Sequence, residues 1–191
     1  MIRAVSRLLI LSGCVMLLWS ALLTYRFLSP RKKLFPVQLI STSEGSRASS
    51  IKPLSVKIPA VGVDLSVMPG SVKNNQWVMT RQGVSYLTSS PIPGDKGNSV
   101  FYGHNDRSLL GNLSKARPGD LVEIVMDDGS LRSFVIDLTG EVTPKQTEIL
   151  SDAGDTRITI FTCSGLFDQK RFVVVAKPVE KPSASSAGHR G

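Results

Sequence analysis

Arg157-Ile-Thr-Ile-Phe-Thr-Cys163-Ser-Gly-Leu-Phe-Asp-Gln-Lys-Arg171-Phe-Val-Val-Val-Ala176 is the stretch on which the reading of the chain turns. Two runs rich in β-branched and aromatic side chains flank a short segment that opens on Ser164-Gly165. Such side chains fit a pleated, half-buried surface better than a helix, so each run predicts a strand. Seven residues (Ser164 to Lys170) separate Cys163 from Arg171. If the two strands pair as a hairpin, Cys163 and Arg171 face each other across its mouth.

Similar short runs extend back towards the amino terminus. Leu54–Ile58 and Val61–Val67 alternate apolar and polar residues, and Asn98–Tyr102 is a third run, ending in Gly103-His104-Asn105. Asp120–Met126 and Leu131–Leu138 flank Asp127-Asp128-Gly129-Ser130, a hairpin turn containing the favoured Asp-Gly pair. Helical signal is confined to Leu109–Ala116 and Lys145–Ser151, each long enough for a turn or two. So many strands at this spacing predict a largely antiparallel, closed or nearly closed all-β domain over residues 54–180. No internal repeat is evident.

Charge distribution removes one class of function. The 191-residue chain carries a formal net charge of +8. Residues 1–53 hold eight Lys/Arg against one acid, whereas residues 54–180 hold thirteen against fourteen. A domain that tracks phosphates needs its cation surplus on the fold itself, so nucleic-acid binding is excluded. The two cysteines, Cys14 and Cys163, and two histidines are too few and too scattered for a disulfide scaffold or a structural zinc site.

Leu8–Tyr25 runs 18 residues without a charge between Arg7 and Arg26. As a helix it spans roughly 27 Å, close to the hydrocarbon thickness of a bilayer. It lacks the small-residue cleavage site of a signal peptide. Leu11-Ser-Gly-Cys14 resembles a lipoprotein box, but the apolar run continues past the cysteine. An uncleaved membrane anchor is the expectation, with residues 1–7 before it. Residues 26–53, rich in Ser and Pro, predict a flexible linker, and residues 181–191 a disordered tail that includes His189. Arg26, Arg31, Lys32 and Lys33 outnumber Arg3 and Arg7, so the flanking charges by themselves lean towards a cytoplasmic carboxyl side.

His104 and Cys163 both sit where strands emerge into loops, the usual place for reactive groups. An imidazole can take a thiol proton, and the thiolate can attack an acyl carbon. Each residue also has an ordinary reading: a cysteine at a strand end as a small buried hydrophobe, a histidine by a turn as a satisfied polar group. Arg171 adds a cation that lowers a neighbouring thiol's pKa and stabilises an oxyanion, although it also reads as a charge guarding an apolar strand.

Taken in order, the motifs resemble those of the sortase family, membrane-anchored cysteine transpeptidases of bacterial surfaces. Thr159-Ile-Phe-Thr-Cys163 is similar to that family's Thr-Leu-x-Thr-Cys, with Ile160 where Leu is usual. Pro93-Gly-Asp-Lys-Gly-Asn98 followed by a strand and Gly103-His104 resembles the family's approach to its histidine. Leu110-Gly-Asn-Leu113, Pro118-Gly-Asp120 and Val142-Thr-Pro144 through Glu148-Ile-Leu150 resemble the segments between.

The resemblance implies a closed, antiparallel or mixed eight-stranded β-barrel with short helices, preceded by one transmembrane helix. It implies His104, Cys163 and Arg171 as catalytic residues at one end of a groove. Thr162 is expected beside the substrate, and Ile149 and Leu150 stand in the segment Thr139–Asp155 where the Leu-Pro part of a sorting motif would dock. The implied reaction cleaves a Leu-Pro-x-Thr-Gly-like motif of secreted proteins through a thioester and passes the acyl group to an amine, a cell-wall peptide or a pilin lysine. The implied location is the cell membrane, single-pass, with the domain outside, against the flanking charges. No cofactor and no metal is expected, because no distinctive acidic cluster stands out. The subclass stays open, since the loop from Cys163 to Arg171 is short. Cys and His have ordinary pKa values of about 8.5 and 6.5, so a slow enzyme with a bell-shaped pH profile is expected. Two other readings remain at this point: another cysteine peptidase, and a catalytically inert, membrane-tethered β-domain that binds peptides.

Overall fold

The computed structural model describes residues 12–21, 51–73 and 76–179. Residues 12–21 are helical, and among the described residues no helix is long and apolar enough to cross a membrane. The rest of the expected span Leu8–Tyr25, nearly all of the linker and the tail lie outside the described residues.

Nine strands make one sheet: β1 (Pro53–Ile58), β2 (Val63–Lys73), β3 (Gln76–Val78), β4 (Val84–Leu87), β5 (Gly97–Gly103), β6 (Leu121–Met126), β7 (Leu131–Val142), β8 (Thr156–Ser164) and β9 (Lys170–Pro178). Their order is β1-β6-β7-β9-β8-β5-β4-β2-β3, and β1 also pairs with β2. That last pairing closes eight strands into a barrel and leaves β3 outside the ring. Two pairings are parallel, β2 with β4 and β5 with β8, so the barrel is mixed.

Strand β2 achieves closure by changing partner along its length. Val63–Ser66 pair with β1, Val67–Gly70 with β4, and Ser71–Lys73 with β3. The sequence places its start at Val61, but Pro59–Val61 form a 3-10 turn and Gly62 takes the left-handed conformation that ends it. The two weak helical segments are likewise 3-10 turns, Leu110–Lys115 and Thr147–Leu150. The Asp127–Ser130 hairpin forms as read, with Gly129 at φ 79° and its N–H donating to Met126 O at 3.0 Å.

Alternation sorts side chains between two apolar clusters. Val56, Ile58, Val122, Ile124, Met126, Phe134, Phe101, Ile158, Ile160, Val174 and Ala176 fill the barrel. The opposite phase of β5, β8 and β9 presents Val100, Tyr102, Phe161, Cys163, Val173 and Val175 to a second cluster on the outer face, capped by Trp77, Leu87 and Leu150. These three strands are therefore buried on both faces, whereas β6 exposes Leu121 and β7 exposes Leu131 and Val135 on their outer sides. Each large side chain so buried contributes about 1.5–3 kcal/mol.

Trp77 stands edge-on to Tyr102 (centroids 4.7 Å apart, 78°) and to Phe161 (5.4 Å, 89°), the arrangement that aromatic quadrupoles favour. The Tyr102 hydroxyl donates to Val78 O at 2.9 Å, with Ser71 O at 3.3 Å, and so holds both arms of the β2–β3 hairpin. Gly70 makes this approach possible: a Cβ there would lie 2.4 Å from the Tyr102 hydroxyl.

Candidate active site

Three chain segments meet at one end of the doubly covered sector. Strand β8 lies between β5, its parallel neighbour, and β9, its antiparallel one. Gly103 of β5 is level with Thr162 of β8, so His104 leaves its strand beside the position where Cys163 follows Thr162. Adjacent strands lie about 4.8 Å apart, which makes this neighbourhood close. Across the other ladder Cys163 is the direct partner of Arg171. Cys163 shares the phase of Phe161, and Arg171 that of Val173 and Val175, so both point to the outer cluster.

Cys163 is a free thiol, 4 % exposed. Arg171 is 2 % exposed, and its Nη1 donates to the carbonyls of Asp168 and Lys170 at 2.7 Å each. Desolvation by burial pulls the guanidinium below its ordinary pKa; the charge at Cys163, then that of Asp168, works in the opposite direction. One acceptor carbonyl comes from the first residue of β9, the other from the tight loop between β8 and β9. There Gly165 and Asp168 both have positive φ, 75° and 58°, and Asp is among the few other residue types that adopt this conformation.

His104 is partly exposed, and its carbonyl accepts the Leu110 N–H at 3.2 Å, which ties the strand end to the 3-10 turn Leu110–Lys115. Asp106 follows two residues later. Its carboxylate accepts the Ser108 hydroxyl at 2.7 Å and the Ser108 N–H at 2.9 Å. These bonds hold its carboxyl below the usual range, with His104 a smaller contributor.

Thr162, expected beside the substrate, is one step out of phase with Cys163. It is 1 % exposed and its hydroxyl donates to Gly103 O at 2.9 Å, locking β8 to β5 at the point where His104 departs. Ile149 and Leu150 belong to the 3-10 turn Thr147–Leu150, which lies over the outer cluster; Leu150 is buried in it and Ile149 packs against it. The structure thus brings Ile149 and Leu150 to the same face as Cys163 and turns Thr162 away from it.

Two features of this face escape the sequence reading. Asn98 has the phase of Val100 and Tyr102 and is 3 % exposed; its side chain meets Thr159 and the backbone of Ile149 and Ser151. Its two-residue spacing from Val100 was the available signal. Trp77, on a strand of three residues, gives no periodicity to read. Among the described residues no group of three or more His, Cys, Asp or Glu is arranged to hold a metal ion.

The sequence and the fold resemble those of known proteins. A family model described as sortase domain matches residues 56–179. Sortase A of Bacillus anthracis is 27% identical over 124 residues, covering 63% of this chain and 56% of that protein. Sortase A of Listeria monocytogenes is 28% identical over 127 residues, covering 64% of this chain and 54% of that protein. The chain thus spans little more than half the length of these curated relatives. The crystal structure of Streptococcus agalactiae sortase C1 in complex with MTSET superposes with a TM-score of 0.59 at 25% identity, covering 68% of this chain and 70% of that one.

Proposed function

The chain belongs to the sortase family, and on that premise we propose that it is a cysteine transpeptidase acting on a Leu-Pro-x-Thr-Gly-like sorting motif of secreted proteins. The observation that carries this reading is the direct pairing of Cys163 with Arg171, with Cys163 on the strand next to the one that leads into His104.

Each residue has a definite task in the reaction. The Cys163 thiolate attacks the scissile backbone carbonyl; a C–S bond forms and the carbonyl electrons move to oxygen. Arg171, already fixed by two carbonyls, stabilises that oxyanion without reorganising. Collapse breaks the C–N bond, and imidazolium at His104 gives its proton to the leaving amine. A thioester remains. An incoming amine attacks it and yields its proton to His104, a new amide bond forms and the thiolate is regenerated. One amide replaces another, so the cycle consumes no external energy source and requires no redox partner. Ile149, half-buried and backed by the buried Leu150, supplies apolar surface for the Leu-Pro end of the motif.

Residues 8–25 serve as a membrane anchor in this reading, with the β-domain on the extracytoplasmic side, where secreted substrates and amine acceptors are found. In the helix over residues 12–21 the side chains from Val15 to Trp19 are 59–75% exposed, as suits a surface that meets lipid. Protease treatment of intact cells should degrade the β-domain; a protected domain overturns this topology.

Incubating the full-length chain with a labelled Leu-Pro-x-Thr-Gly peptide tests the chemistry. A covalent adduct at Cys163, released by a primary amine as a new amide, is the expected result. Binding of the peptide without any adduct would identify an inert peptide-binding domain instead.

A further inference from the structure

Thr159 and Asn98 form a buried polar pair on the mainly apolar face that also carries Cys163 and Arg171. Thr159 is 0% exposed and Asn98 3%, and the Thr159 hydroxyl donates to Asn98 Oδ1 at 2.8 Å. With its oxygen occupied, Asn98 turns its amide nitrogen to the segment above, donating to Ile149 O at 3.1 Å, with Ser151 O at 3.4 Å. A buried pair of this kind has a cost unless every member is satisfied, and here the satisfied geometry links two barrel strands to the 3-10 turn Thr147–Leu150.

Its location along β8 relates it to the thiol. Thr159, Phe161 and Cys163 lie on one face, and the first and last are four residue steps apart along the strand, about 13 Å. An extended peptide whose scissile carbonyl rests at Cys163 therefore brings the residue three positions before it, the Leu of a Leu-Pro-x-Thr motif, to within about one residue of the level of the Asn98–Thr159 pair. The turn carrying Ile149 and Leu150 is held at that same level.

We infer that Asn98 and Thr159 are positioning residues for the substrate: they fix the Ile149–Leu150 wall at the distance from Cys163 that one sorting motif requires. The inference rests on the transpeptidase reading, since it takes the occupant of the groove to be an extended sorting-type peptide. Neither side chain touches the reacting atoms. Their effect passes through the backbone of Ile149 and Ser151.

Binding separates this role from catalysis. The dissociation constant of a fluorescent Leu-Pro-x-Thr-Gly peptide is measured on the full chain carrying Cys163→Ala, alone and combined with Thr159→Val, Thr159→Ser or Asn98→Ala. Thr159→Val keeps the shape and removes the donor, so binding should weaken about tenfold; Thr159→Ser restores the donor and should return it to within about threefold. In chains that keep Cys163 and carry Cys14→Ser, Thr159→Val should leave the alkylation rate of Cys163 by iodoacetamide unchanged. Unaltered affinity in both Thr159→Val and Asn98→Ala overturns the inference. So does a fall in alkylation rate parallel to the loss of affinity, which would mark the pair as general support for the site. Absence of transfer by the unsubstituted chain, with affinity still dependent on Thr159, sinks the transpeptidase reading and leaves the positioning role intact.

Discussion

Cys163 and Arg171 are register partners across the β8–β9 ladder, and the guanidinium of Arg171 is anchored by the carbonyls of Asp168, in the loop that joins the two strands, and of Lys170, the first residue of β9. The cation is thus built into the same hairpin as the sulfur, so no hinge or third element has to move for them to meet. Replacing Arg171 with Ala should lower kcat/KM for peptide transfer by about 10²–10³-fold, the usual effect of losing an oxyanion stabiliser. Arg171→Lys should recover little, because an ammonium cannot keep two carbonyl contacts and present a second donor face at once. Steady-state kinetics on full-length variants, with circular dichroism as a fold control, provide the measurement. Activity near the unsubstituted level in both variants would remove Arg171 from the mechanism.

Thiol reactivity should depend on the histidine. With Cys14→Ser making Cys163 the sole cysteine, alkylation by iodoacetamide should slow by at least about tenfold when His104 is replaced by Ala. Transfer itself should follow a bell-shaped pH profile, falling on the acid side as thiolate is protonated and on the alkaline side as imidazolium loses its proton. A rate independent of pH across both limbs would contradict the proton shuttle.

Gly70→Ala should destabilise the domain by about 1–3 kcal/mol, as overpacking of a tight core does. The new methyl would meet the Tyr102 hydroxyl at 2.4 Å and the Ser85 Cβ at 3.0 Å. Tyr102 has little room to yield, since its ring lies against Trp77 and Phe161 and its hydroxyl is bonded to the hairpin. Urea denaturation followed by circular dichroism measures the loss. Combining the change with Tyr102→Phe should recover part of it, and equal losses in both backgrounds would show that Tyr102 is not the obstacle.

Alkaline solution should weaken the fold through two tyrosines. Burial pushes Tyr86 and Tyr102 up from 10.0 to about 12. Between these values the unfolded chain loses a proton that the folded chain keeps, so the unfolded state binds fewer protons and stability declines as pH rises from about 10 to about 12. Below pH 10 both states hold the proton and the contribution is fully present. Tyr102→Phe should flatten the decline, as read from denaturation midpoints at pH 9 and pH 11. An equal slope with and without the hydroxyl would show that Tyr102 is not responsible.

How much was legible in advance differs from element to element. Strands with one wet face, such as β6 with Val122, Ile124 and Met126 inward, declared themselves by alternation. The Asp-Gly turn fixed its hairpin for the same local reason. Strands β3 and β4 were invisible: the first has three residues, and the second, Val84–Leu87, is buried on both sides and so has no alternation to show. The reactive pair could be placed from the Cys163–Arg171 hairpin because its geometry is local. Thr162 was expected beside the substrate from the family resemblance alone, and the pleat turns its hydroxyl to Gly103 instead. Asn98 lies 51 residues from Ile149, and a contact over that separation leaves no trace in local pattern.

The parallel pairing of β5 with β8 has a temporal consequence. Its two ends, Gly103 and Thr162, are 59 residues apart, so the imidazole strand must wait for more than fifty further residues before its neighbour exists. Non-local pairings of this kind form slowly and close late. The neighbourhood of His104 and Cys163 is therefore among the last parts of the barrel to assemble, and nucleophilic competence is acquired only once β8 has docked.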